Sequence, residues 1–310
     1  MHAQMACDAM NAGKHVFIEK PIAITMEDAE NVIATRDKTN RKAGIDYMLR
    51  FNPIINAIKI LGYKNTFGKL CHVNVQNYAQ DNLLPAHHWF WKPEISGGIL
   101  IEHGVHFIDV VNSLTSERCK NVVGFSHSRT KGLEDQFTAN CIYDNGLIAT
   151  HYHSFSRPGF FENTSIRLVY DLAQIDIEGW IPLSGKISTL VNEKTKRELN
   201  GLPDFNIKKL VNINDIEDVS RPQGWGTETK NETLQNKVFS RGIEYPVSEK
   251  IEGTFAIQSP KHEVYSQCLQ SIMQDFILSV ENPDHPLRVK LEDGLESLKT
   301  AILATEFARR

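Results

Sequence analysis

Several things are missing from this chain of 310 residues. No stretch approaches the run of about 20 apolar residues that crosses a bilayer, so no membrane role is expected. The N-terminal MHAQMACDAMNAGK also lacks the basic flank and long apolar core of a signal peptide, and a cytoplasmic address follows by default. Cysteine is sparse and unpatterned: Cys7, Cys71, Cys119, Cys141 and Cys268 are odd in number, scattered and free of any C-x-x-C. That excludes a disulfide framework or zinc knuckle and leaves them as reduced packing residues. Basic charge is not in excess, and a net charge of -4 gives no reason to expect nucleic acid, which needs a clustered basic surface. Internal repeats and low-complexity tracts are absent as well.

What is present begins with a clear rhythm. His2 to Ala12 reads as a helix closed by Gly13, and KHVFIE after it has the apolar run of a strand buried on both faces. A second cycle follows: Thr25 is an N-cap with Asp28 three residues on, and Ala29, Val32, Ile33 and Arg36 fall at helical spacing before Gly44. IDYMLRF then reads as another strand. Helix, strand, helix, strand with short links is the signature of a parallel α/β sheet, whose functional groups gather at the carboxyl ends of the strands. Glu19, Lys20 and Pro21 lie at such an end.

From Asn52 onward the style changes. PIINAIKILGY reads as a helix, and long alternating segments follow: LCHVNVQNY, NVVGFSHSR, and the pair QFTANCIY and LIATHYHSF, whose Asn145-Gly146 link is a hairpin signal. IRLVYDLAQIDIEGW and GKISTLVNE add strands to what reads as a mixed or antiparallel sheet. Residues 200 to 233 are polar and loop-like, and helices are expected over Val264 to Val280 and Leu291 to Arg310. Apolar residues in LIATHYHSF suggest that the sheet has a partner and that the chain forms a homo-oligomer.

A second stretch carries chemistry, HHWFWKPEISGGILIEHGVHFIDVV. After Gly97 and Gly98 the pattern fits a helix, which places Glu102 and His106 at i and i+4 on one face. An acid that orients a histidine is a workable general base, although a histidine in an apolar helix is more often a hydrogen-bonded structural residue.

Taken together, AGKHVFIEKP, RFNP at residues 50 to 53, SGGILIEHGVHFID and DFILSVENPDHPLRVKLEDGLESLKTA resemble, in order and over nearly the whole chain, the Gfo/Idh/MocA family. The resemblance implies an NAD- or NADP-dependent oxidoreductase acting on a sugar, cyclitol or related polyol, with a Rossmann domain and a C-terminal open sheet that forms the oligomer contact. The expected fold class is therefore α/β plus α+β. Residues 1–52 form the C-terminal remnant of a Rossmann-like parallel sheet, and residues 53–310 a large open, mainly antiparallel sheet domain with helices. The resemblance also implies roles. Lys20 donates to the hydroxyl that loses hydride, His106 accepts its proton, and Glu102 sets the histidine's orientation. Glu19, Lys20, Pro21 and Arg50 border the cofactor, Arg50 being read equally as a pin at the domain junction. Lys20, His106, Trp89 and Trp91 contact substrate, with core packing the alternative for the indoles. No metal is expected.

Two departures qualify the resemblance. The family has Asp where this chain has Glu102, one methylene longer. The larger departure is that the G-x-G-x-x-G turn of a Rossmann domain is missing: the only G-x-G is Gly224 to Gly226, without the third glycine. The chain is thus expected to begin inside the nucleotide domain, with a misassigned start, a frameshift and a degenerate protein all open. Two competing functions follow: a non-catalytic sugar-binding or oligomerisation module, and a metal-assisted hydrolase drawing on His87, His88, His103, His106, His151 and His153. The last lacks any H-E-x-x-H signature.

Overall fold

The computed structural model describes residues 2–215 and 236–310. The G-x-G of residues 224 to 226 and the later part of the segment read as a loop lie outside them.

The first fifty residues follow the expected rhythm. Helix α1 (His2–Asn11) leads through Gly13, at φ +80°, into strand β1 (Val16–Ile18). Helix α2 (Met26–Thr39) is capped by the Thr25 hydroxyl, which accepts from Asp28 N at 3.2 Å, and strand β2 (Ala43–Ile45) pairs parallel to β1. IDYMLRF is not a strand beyond Ile45. β1 offers only three residues of ladder, so the chain turns at Asp46, whose Oδ1 accepts from Met48 N, and forms a 3₁₀ turn over Met48–Phe51. Asn52 then caps helix α3 (Pro53–Tyr63), its Oδ1 accepting from Ile54 N at 3.0 Å with Pro53 at the first helical position.

The remainder is built on one nine-stranded sheet. It comprises β3 (Leu70–Gln80), β4 (Cys119–Thr130), β5 (Leu133–Tyr143), β6 (Ile148–Arg157), β7 (Asn163–Tyr170), β8 (Ala173–Glu178), β9 (Ser184–Val191), β10 (Asn206–Asn212) and β13 (Glu249–Ala256). Their order is β10-β13-β9-β8-β7-β3-β6-β5-β4, and only β3 and β6 pair in parallel. The β5–β6 turn is the expected one, with Gly146 at φ +84° and Asn145 Oδ1 accepting from Leu147 N at 2.9 Å. Part of the stretch read as loop is strand β10, an edge strand with exposed lysines that pairs on one side only. A small hairpin, β11 (Lys237–Ser240) and β12 (Ile243–Pro246), is clasped by buried Asp171, which accepts from Ser240 Oγ, Tyr245 OH and the Arg241 guanidinium at 2.7 to 3.0 Å.

One face of the sheet packs on helices. Helix α4 (Pro93–Ser96), a π turn over Leu100–Gly104 and helix α5 (Val105–Leu114) cross it, while the short helix α6 (Glu193–Glu198) follows β9. The last two helices, α7 (Lys261–Glu281) and α8 (Leu291–Ala308), return to the start of the chain. Phe276 packs on Phe17 with centroids 5.5 Å apart, and a Cβ on Gly294 would come within 2.7 Å of Ile45 Cδ1, so α8 lies directly on β2. The stretches 1–52 and 53–310 therefore share one continuous core. This is a Rossmann-like parallel fragment joined to a large, mainly antiparallel sheet with flanking helices. No described helix is long and apolar enough to cross a membrane.

Candidate active site

Because β1 and β2 are parallel, their carboxyl ends open at one place. Glu19, Lys20 and Pro21, joined through a cis Lys20–Pro21 peptide, meet Asp46 and Tyr47 there, with Asp46 N donating to Ile18 O at 2.9 Å. The π turn before α5 closes the other side. Lys20 Nζ donates to the Glu102 carbonyl at 2.6 Å and to Glu102 Oε1 at 2.9 Å, and its side chain is only 14% exposed. This is not a solvated lysine.

The π turn alters the expected partnership of Glu102. A turn closed by i→i+5 bonds holds more residues than an α turn, so side chains four apart no longer stack. The Glu102 carboxylate is committed to Lys20, and no hydrogen bond joins it to His106. His106 is buried, with its Nδ1 unpartnered. Its ring lies edge-on to Trp180 at 5.6 Å and near Tyr47 at 6.4 Å and His103 at 6.2 Å. Burial, then the nearby Lys20 charge, holds its pKa well below the usual 6.5, so the imidazole is neutral at physiological pH.

The other expected residues sit elsewhere. Arg50 is buried and makes a bidentate pair with Asp109 at 2.8 and 2.7 Å, with Asp293 at 3.1 Å. It pins the 3₁₀ turn to α5 and α8, the second of its two readings. Trp91 is buried, donating to Leu84 O at 3.0 Å beneath the Arg129 guanidinium, and half-exposed Trp89 packs within its own loop, tilted against His88 and edge-on to Phe90. The indole beside His106 is Trp180, whose Nε1 is buried without a partner. Nothing in the EGW sequence marks it, since the loop after β8 reaches the site only through sheet order.

Asp46 joins the site as well, since it follows the second parallel strand as Glu19 and Lys20 follow the first. Burial, then the Glu19 charge, pushes its carboxyl up to about 6 against the opposing Met48 N–H and Lys20. A raised carboxyl pKa opposes folding above that value and ceases to matter below the unfolded value near 4. Asp46→Asn, which keeps the acceptor for Met48 N, is therefore expected to raise stability by about 1–3 kcal/mol at pH 7.5 and by nothing near pH 4. Urea midpoints at the two pH values check this; an unstabilised variant at pH 7.5 would mean that Lys20 holds the carboxylate ionised.

A dinucleotide fits this site at one end only. The unpartnered Trp180 Nε1 and the free donor of Lys20 are groups that a nicotinamide and a hydroxyl could engage, whereas no glycine turn between a strand and a helix N-terminus lies among the described residues to receive a pyrophosphate. Among the described residues no three His, Cys, Asp or Glu are grouped so as to hold a metal ion.

Comparison with known proteins agrees with this architecture. Residues 1–47 match the model of the oxidoreductase family with an NAD-binding Rossmann fold, and residues 56–171 match the GFO/IDH/MocA C-terminal domain. The 1,5-anhydro-D-fructose reductase of Ensifer adhaerens is 26% identical over 162 residues, 50% of this chain and 48% of that protein. The chain spans half or less of the length of the relatives it matches in sequence. Aldose-aldose oxidoreductase of Caulobacter crescentus shares the fold with a TM-score of 0.68 at 18% identity, over 99% of this chain and 74% of that one. So does the WlbA dehydrogenase of Bordetella pertussis, solved with NADH and UDP-GlcNAcA, with a TM-score of 0.66 at 16% identity over the same shares. With two family models matched in order over more than half of its residues, on the fold those proteins have, the chain belongs to the Gfo/Idh/MocA family of oxidoreductases.

Proposed function

We propose that the chain carries the substrate side of an NAD- or NADP-dependent oxidoreductase acting on a hydroxyl of a sugar, cyclitol or related polyol. The observation that carries this is the bonding of Lys20. An ammonium has three donors, and two are taken by the Glu102 carbonyl and carboxylate, which leaves one in a half-buried site beside a neutral imidazole. The free donor serves the substrate oxygen as negative charge develops on it, and His106 takes the hydroxyl proton through Nε2. The dinucleotide, when bound, supplies the hydride acceptor. Trp180 gives the sugar ring an apolar wall, the role first expected of Trp89 and Trp91.

Relatives favour this chemistry: one reduces an anhydrofructose, another is an aldose-aldose oxidoreductase, and a third was solved with NADH and a nucleotide sugar. The absence of a glycine turn among the described residues favours the second reading, a sugar-binding or oligomerisation module without catalysis. A homo-oligomer through the outer face of the sheet belongs to either reading. That face carries polar groups such as Asn74, Gln76, Arg167 and Lys186 beside exposed Ile148 of LIATHYHSF, while Leu147, Ala149 and Phe155 of the same stretch are buried.

Hydride transfer with NAD and NADP over a panel of sugars and cyclitols tests the choice. It should be measured on the 310-residue chain and on the same chain joined to any coding sequence in frame before Met1. Activity is expected in the joined protein, with weak or no dinucleotide binding by the 310 residues in calorimetry. A joined protein that binds sugar without transferring hydride would establish the second reading.

A further inference from the structure

Behind His106 runs a row of imidazoles. Ring centroids are 6.2 Å apart from His106 to His103, 5.7 Å from His103 to His153, and 6.1 Å from His153 to His151, the last pair stacked. His151 and His153 come from the inner face of β6 and are fully buried, while His103 comes from the π turn. Six of their buried nitrogens, His106 Nδ1, His103 Nε2 and both of His151 and of His153, have no protein partner. Asn77, opposite His153 in the β3–β6 register, has an unpartnered Nδ2 as well.

Left dry, so many polar atoms would forfeit hydrogen bonds whose sum rivals the net stability of a domain. Buried polar groups without protein partners are ordinarily served by internal water. No direct hydrogen bond joins the rings, and one water making two hydrogen bonds of about 2.8 Å holds two ring nitrogens about 4.5 Å apart, a separation that ring centres near 6 Å allow. Burial also keeps these rings neutral, with His103 and His151 pushed down to about 4 and His153 held well below the usual value, so each offers one donor and one acceptor. Around His106 lie the Lys20 charge and the rings of Tyr47 and Trp180, while the Glu102 carboxylate is bound to Lys20 and no carboxylate among the described residues hydrogen-bonds His106 Nδ1.

We propose that His103, His153 and His151, linked by internal water, form a neutral hydrogen-bonded row that receives the Nδ1 proton of His106 and fixes its tautomer. The row stands where a carboxylate would otherwise orient the base. His103, His153 and His151 are positioning residues: with Nδ1–H donated into the row, Nε2 keeps its lone pair toward the site. The value of that tautomer to catalysis rests on the proposed function, but its existence does not.

The test is nitrogen-15 and carbon-13 NMR of the 310-residue chain labelled at its 12 histidines, with no cofactor or substrate added. Native protein is expected to show His106 as a single Nδ1-protonated tautomer, with cross-relaxation from long-lived water to the ring protons of His103 and His153. In His103→Leu the preference should be lost, giving mixed tautomers, and in His103→Gln, which keeps a donor and an acceptor, it should return. Mixed tautomers in the native chain, absence of the water signals, or an unchanged His106 tautomer in a folded His103→Leu would each overturn the row. The native spectra decide even if the leucine variant fails to fold. Failure of hydride transfer in the joined protein, with these spectra as expected, would overturn the proposed function alone.

Discussion

Replacing Arg50 by leucine is expected to lower the unfolding free energy by about 3–5 kcal/mol. The guanidinium is the one buried Lys or Arg side chain among the described residues, and it bonds Asp109 through two nitrogens while also meeting Asp293. Burial by itself would lower its pKa, but the two carboxylates outweigh burial and raise it, while burial lifts Asp109 to about 6 against the pull of Arg50, so the pair is ionised at pH 7 and loses its negative partner below about pH 6. Leucine would leave Asp109, fully buried on α5, as a charge without a counter-ion. Against a usual net stability of about 5–15 kcal/mol, that loss removes a third or more and threatens folding at 37 °C. The same site holds the chain ends together, because the Arg50 carbonyl accepts from Arg288 Nη2, which also bonds Asn56 Oδ1, each at 2.6 Å. Two comparisons separate the buried charge from lost packing. Arg50→Leu combined with Asp109→Leu should recover much of the loss, since an apolar pair replaces an ionic one. In the single variant the deficit should shrink as pH falls from 7 toward 4, because the orphaned carboxyl, with its pKa raised in the folded state, takes up a proton. Urea midpoints read at constant slope measure all three. A deficit below about 1 kcal/mol would mean that water reaches Asp109 and that Arg50 is not the pin.

Local signals were legible wherever the deciding contacts are themselves local. The Thr25 cap, Gly13 after α1, Pro53 after the Asn52 cap and the Asn145-Gly146 turn act within a few residues, and each element they bound lies where its pattern places it. The failures fall where a distant strand decides. IDYMLRF has strand composition, yet strand length is set by the partner, and β1 is three residues long. NIKKLVN is polar because β10 is an edge strand, and it is a strand because β13, some forty residues later, pairs with it.

The candidate site divides in the same way. Lys20 and Pro21 are visible from the end of an apolar strand, and His106 from the helix after Gly97-Gly98. The bond from Lys20 to Glu102 spans 82 residues and depends on a π turn, which has no composition of its own. Helical spacing therefore assigned Glu102 to His106 instead. Arg50 and Asp109 are 59 residues apart, and Trp180 comes from a loop between two strands of the far sheet. Period and propensity describe which face a residue occupies; they carry no information about which faces meet.

Lys20→Ala is expected to lower turnover by about 10²–10³-fold in the protein that shows hydride transfer, the range for losing one charged or polar donor aimed at a developing oxyanion. The fold should survive. Lys20 and Glu102 are partly buried, at 14% and 19% side-chain exposure, so breaking their pair should lower stability by about 1–3 kcal/mol, short of unfolding the chain. The loss should appear in kcat more than in KM, because the free donor of Lys20 bonds most strongly where the substrate oxygen carries most charge. Lys20→Arg should not restore the rate: a planar guanidinium cannot reproduce a compact ammonium that gives two bonds to one residue and keeps a third for substrate. The pH profile distinguishes this role from that of His106. With the base held neutral by burial, the acid limb of the native enzyme should lie below the usual histidine range, and Lys20→Ala should move it upward because the Lys20 charge helps to depress the imidazole pKa. Steady-state kinetics from pH 4 to 9 on native enzyme and both variants would show this. A Lys20→Ala enzyme within tenfold of native turnover, or one whose acid limb stays in place, would leave Lys20 an anchor for Glu102 and pass the substrate oxygen to another donor.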